Sequence, residues 1–109
     1  MPTLNEVSAK AFSTAVEKGF HPKEIAEGKN DDIQYMAVRI ALIHSEASEA
    51  LAELREPNLK LALFAEELAD IIIRTADLAA IAGIDLDYAV AAKQQYNETR
   101  EHTHGGKTI

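Results

Sequence analysis

Two pairs of acids are the residues most able to do chemistry in this chain: Glu46-x-x-Glu49 and Glu67-x-x-Asp70. Residues three apart on a helix are neighbours on one face, so each pair aims two carboxylates in one direction. A single such pair is ordinary, because charged helix faces are usually just solvated. Here the two pairs are tied together by position. Pro57-Asn58 marks a short turn between them, and two helices joined by a short turn run antiparallel. Glu49 and Glu67 lie equally far from residue 58, and so do Glu46 and Asp70. The four carboxylates are therefore expected at one level of a helical hairpin. Unpaired, they would repel one another and hold on to protons. Arg39 and Arg74 offset part of that repulsion, and a divalent cation offsets it better. All-oxygen ligation suits Mg²⁺, with Mn²⁺ as a substitute, and does not suit zinc. A ferritin-like di-iron site would need Glu-x-x-His pairs on two helices, whereas the chain has only Glu101 with His104.

A basic counterpart follows. Lys93, Asn97 and Arg100 recur at i, i+4 and i+7, hence on one helix face. Alone that is a solvated stripe; beside a carboxylate-held cation it is the expected cationic wall for triphosphate oxygens. Lys107, behind Gly105-Gly106, is a further cation for the same purpose. No serine shows a positioned base, so no side-chain nucleophile is expected.

Four helices are needed to place these residues. The first is expected over about Leu4 to Lys18, opened by the capping-box pattern Thr3…Glu6 and closed at Gly19. An irregular loop follows from Phe20 through Asn30. Asp31 or Asp32 caps the second helix, which reads on to about Glu56 and carries the stripe Ile33, Met36, Ile40, Ile43, Ala47, Leu51 and Leu54. Val38 and Leu42 on its other side imply that its first half is buried nearly all round. The third helix is expected from about Leu59 to Ala82. Its polar stripe, Glu67, Asp70, Arg74 and Asp77, is narrow and framed by Leu63 and Ile81, as a solvated face would not be. Gly83 stops it, and Asp85 caps a fourth helix over about Leu86 to Arg100. The tail from about 102 to 109 is expected to be flexible. The fold class is all-α, a four-helix bundle whose second and third helices form an antiparallel hairpin.

Composition agrees. At 109 residues the chain has room for one domain, spanning 1–109. Aromatics are only 6%, with no Trp, so Ala, Leu and Ile must do the packing, which suits helices. So thin a core calls for a partner copy, and a homodimer or homotetramer is expected. The formal charge of −7 argues against a polynucleotide partner, which needs a basic face. With no cysteine there is neither a disulfide framework nor a thiolate metal site. No stretch reads as a signal region or membrane span, and a cytoplasmic location is expected.

The order Lys18-Gly19-Phe20, IHSEASEALAELRE over 43–56, EELADIIIRTADLAAIAGIDLDYA over 66–89, then Lys93…Asn97…Arg100…His104-Gly105-Gly106-Lys107 resembles the MazG-like proteins in their short, single-domain form. These belong to the all-α nucleoside triphosphate pyrophosphatase superfamily. The resemblance runs over nearly the whole chain. It implies Mg²⁺ held by Glu46, Glu49, Glu67 and Asp70, and hydrolysis of (deoxy)nucleoside triphosphates between the α- and β-phosphates to a monophosphate and pyrophosphate. It implies that Glu46 or Glu49 orients or deprotonates the attacking water. Lys93, Asn97, Arg100 and Lys107 are implied to bind substrate. Two departures stand out: the family's helix-two motif usually carries two adjacent acids where this chain has Ser45 first, and relatives often place a Trp where it has His21. Ser45 leaves open a catalytically weak nucleotide-binding or regulatory relative. A structural helical oligomer with a solvated acidic stripe is the third reading.

Overall fold

The computed structural model describes residues 1–100. Those residues form five helices and no strand: α1 (Leu4–Glu17), α2 (Lys23–Ala26), α3 (Ile33–Leu54), α4 (Leu61–Ala82) and α5 (Leu86–Thr99). The chain is all-α. The expected four helices are each present, each shorter by one or two residues at one end, and the loop between the first two contains an additional short helix. Pro22 precedes that helix with φ of −67°, the angle its ring imposes. Ile25 then docks with 2% of its surface exposed. Burial of one isoleucine stabilises this turn, and a four-residue helix leaves no periodicity by which to find it.

The ends follow local chemistry. Thr3 and Glu6 complete the capping box: the Thr3 hydroxyl accepts from the Glu6 amide at 3.0 Å, and the Thr3 amide donates to Glu6 Oε1 at 2.8 Å. Asp32, rather than Asp31, caps α3 by accepting from the Tyr35 amide. α4 ends on Gly83 at φ 72°, a left-handed turn that glycine adopts without a Cβ penalty. The first turns of α1 and α5 cap each other across the fold. Asp87 accepts from the Leu4 and Asn5 amides at 2.9 and 3.1 Å, and the Asn5 side chain bonds both Asp85 and the Leu86 amide at 2.8 Å. These bonds satisfy orphan helix-end donors, and a carboxylate there complements the helix dipole.

α4 is the central element, with α3 packed on one side and α1 on another; α5 touches α1. Ser8 of α1 anchors the contact with α4 by donating to the Ala76 carbonyl. The buried apolar core is small: Ile25, Ala50, Ala76, Ala79 and Ile81. The expectation that the first half of the second helix is buried all round is corrected. Ile33 is 71% exposed and Val38 51%, because α1 lies against α4 and leaves the far side of α3 uncovered. The radius of gyration, 16.3 Å, exceeds the roughly 13 Å of a compact domain of this length. Among the described residues no helix is long and apolar enough to cross a membrane.

Candidate metal centre and adjoining cleft

α3 and α4 bring three of the four acids together. Glu46, Glu49 and Glu67 each offer a carboxylate oxygen, and these oxygens lie within 4.8 Å of one another. Glu46 is buried, Glu67 half-buried and Glu49 exposed. Asp70, whose side chain is one methylene shorter than glutamate's, stands outside this triad on the exposed side of α4. Its charge still acts on Glu49 and Glu67, and it lines the cleft described below.

The three glutamates are not equivalent. Arg74 on α4 donates its Nε–H to Glu46 Oε1 at 2.8 Å. That bond holds the Glu46 carboxyl below the ordinary carboxylate range, against the opposing effect of burial. Glu49 is pushed above the ordinary value, first by hydrogen bonding with Glu46 and then by its charge. Glu67 is raised as well, chiefly by desolvation and then by the charges of Glu49 and Glu46. Glu46 Oε2 and Glu67 Oε2 are buried without a hydrogen-bond partner among the described residues. Buried acceptors left unsatisfied carry a desolvation penalty. Two orphan oxygens in an all-carboxylate set are what a hard divalent cation would satisfy.

A cleft of about 910 Å³ adjoins the acids. Val7 and Lys10 of α1 form one wall, Arg39 and Glu46 of α3 the other, and Asp70, Ile73, Arg74 and Asp77 of α4 run along the base. At its far end His21 is buried, 7% exposed, and stacks on Phe12 with ring centroids 5.5 Å apart. Its Nε2 meets the Asp77 carboxylate at 2.9 Å, and its Nδ1 meets the Tyr35 hydroxyl. Nε2 therefore donates to Asp77, and in the neutral ring Nδ1 accepts from the phenol. Burial first, with the Asp77 charge adding, raises the Tyr35 phenol above its ordinary pKa, while Arg39 opposes the rise. The Arg39 guanidinium lies over the Tyr35 ring, 4.5 Å from its centroid.

The basic face expected beside the acids stands elsewhere. Lys93 on α5 and Arg100, which caps its end in extended backbone rather than continuing the helix, approach the Tyr96 ring at 4.8 and 5.6 Å, and Arg100 Nη1 donates to Asn97 Oδ1 at 3.1 Å. None of the three lines the cleft. The cations that do line it are Lys10, Arg39 and Arg74. Sequence reasoning gave Arg39 and Arg74 a general compensating part and did not select Lys10, or His21 with Asp77 as a pair. A signal for the region did exist: Arg39 and Asp77 are equally far from residue 58, as the paired acids are. Lys107, with His102 and His104, lies outside the described residues.

Comparison with known proteins finds no matching family model, no matching curated protein and no matching solved structure.

Proposed function

We propose that the chain is a Mg²⁺-dependent nucleoside triphosphate pyrophosphohydrolase of the MazG-like kind, with α3 and α4 as the antiparallel pair that holds the metal. One observation carries the reading: three glutamates from two helices converge within 4.8 Å, and two of them keep a buried oxygen unpartnered. The antiparallel arrangement is supported by the order of contacts. Tyr35 lies by Asp77, Glu46 lies on Arg74, and Glu49 lies beside Glu67.

Glu46, Glu49 and Glu67 would hold the cation, with Asp70 at its open side. A divalent cation there supplies charge neutralisation for phosphate oxygens and acidifies water at neutral pH. The side chains have separable tasks. Arg74 fixes the Glu46 carboxylate in one orientation. Glu49, exposed and with a raised proton affinity, is the better placed of the two candidate residues to orient and deprotonate a water. Lys10 and Arg74 give the cleft positive groups near the acids. Lys93, Asn97, Arg100 and Lys107 remain proposed phosphate contacts on the strength of their sequence motif alone.

The uncovered apolar side chains of α3 and α4, among them Ile40, Leu51, Leu54, Leu61, Leu68 and Ile72, support a homo-oligomer, as does the expanded single chain. The test of function is a panel of nucleoside and deoxynucleoside triphosphates with Mg²⁺, resolving pyrophosphate from orthophosphate. Monophosphate and pyrophosphate in equal amounts is the expected result, and orthophosphate as first product overturns the α–β cleavage. Binding without turnover would favour the regulatory relative that Ser45 leaves open.

A further inference from the structure

The far end of the cleft holds an arginine with an unused donor. Arg39 Nε is buried and has no hydrogen-bond partner among the described residues. Asp77, the carboxylate at that end, is taken by His21 at 2.9 Å, while the Arg39 guanidinium lies over the Tyr35 ring. Tyr35 is in turn tied to His21. Tyr35 thus packs against the guanidinium, and His21 occupies Asp77, so that neither supplies an acceptor to Arg39 Nε. A buried donor left unpaired costs about 1–3 kcal/mol, and more when it is charged. An acceptor brought by a ligand would recover that cost.

Position decides which part of a ligand this is. Arg39 and Glu46 are seven residues apart on α3, two helical turns or roughly 10 Å along the axis. A cation serving only the phosphates would stand beside the acids, as Arg74 does. On the nucleotide reading above, with phosphates at the acids, two turns away is where the base lies. A guanidinium lying over an aromatic ring presents its N–H donors as a rigid fork that matches oxygen acceptors. We propose that Arg39 is the specificity-determining residue of the cleft, donating to a ring carbonyl of the nucleobase. Guanine, cytosine and uracil offer such an oxygen and adenine does not.

Binding of nucleoside monophosphates to the full chain in EDTA tests this without metal or turnover. GMP, CMP and UMP are each expected to bind at least about tenfold more tightly than AMP. Arg39→Lys keeps the charge and the stem but loses the planar fork, and should bring all four within about twofold while leaving AMP unchanged. Arg39→Gln is a second variant with the same expected outcome, guarding against a folding defect in the first. AMP binding as tight as the others overturns the proposal, as does the absence of binding by every monophosphate. A proportional loss for all four in both variants, the signature of a merely structural arginine, also overturns it. Failure of the pyrophosphohydrolase reading is distinguishable: triphosphates with Mg²⁺ would give no pyrophosphate while the monophosphate ranking stands.

Discussion

Arg74 reaches from α4 to Glu46 on α3 and binds one carboxylate oxygen, Oε1, at 2.8 Å, leaving the other, Oε2, buried and unpartnered. The arginine therefore orients the glutamate without saturating it. A carboxylate held this way is preorganised to accept a second positive group, because its rotamer is already fixed and its free oxygen is already desolvated.

Arg74→Met tests that pair through stability. Removing one partner of a fully buried ion pair costs several kcal/mol, but the Arg74 side chain is 41% exposed and solvent screens the interaction. The expected loss is about 1 kcal/mol, read as a drop in the midpoint of urea denaturation with the slope unchanged. No measurable loss would mean that the pair does not persist in solution.

Divalent cations should stabilise the chain. A ligand that binds only the folded state adds about 2.7 kcal/mol at a hundred times its dissociation constant. Thermal melting is expected to rise with Mg²⁺ and with Mn²⁺. Glu49→Gln or Glu67→Gln should remove the rise and abolish turnover, since each takes a charge from the triad and leaves the fold intact. A mutant that kept both the metal shift and near-native activity would remove its glutamate from the site.

The acid shifts have a sign that pH can reveal. Glu49 and Glu67 are raised above their ordinary values, so the folded state holds those protons more tightly than the unfolded state does. Such groups favour folding at low pH, and that contribution is lost as pH climbs through the ordinary carboxylate range to the raised values. In EDTA, Glu49→Gln is accordingly expected to raise the melting temperature at pH 7. The gain over the native chain should shrink as pH falls towards 4. A constant gain across that window would contradict the shift. Glu46 runs the other way, lowered by Arg74, so its contribution is present at neutral pH and lost on acidification.

The helices and the acidic level were legible because both rest on short-range rules. Capping residues such as Thr3, Asp32 and Asp85 announce helix starts in the sequence, and Gly83 announces a stop. The symmetry of the acids about residue 58 needs only helix geometry and a short turn. Asp70 shows where that reasoning stops: helix geometry predicts the level of its backbone, but side-chain length and rotamer decide whether its oxygen joins the triad. The position of α5 was not legible. Its contact with α1 depends on Asn5 and Asp87 exchanging caps, a pairing more than eighty residues apart that no local pattern encodes. Lys93 and Asn97 both stand on α5, but the helix stops at Thr99 and leaves Arg100 in extended backbone, and spacing does not say what such a face meets. The first half of α3 is more exposed than its pattern predicts, because amphipathic periodicity marks an apolar face but not what lies against it.

His21 offers the sharpest test of the far end of the cleft. Its ring is buried between Phe12, Tyr35 and Asp77, so His21→Phe keeps the stacking and removes both hydrogen bonds. Asp77 then stays in a half-buried site without its donor, and the expected cost is about 1–3 kcal/mol. Asp77→Asn alone should cost less, because the amide oxygen still accepts from Nε2. If the two residues act as a pair, the double mutant His21→Phe with Asp77→Leu is less destabilised than the sum of His21→Phe and Asp77→Leu, by roughly 0.5–3 kcal/mol. Urea denaturation of the four proteins measures this coupling directly. Simple additivity would show that His21 is held by packing on Phe12 and that Asp77 contributes nothing to its orientation.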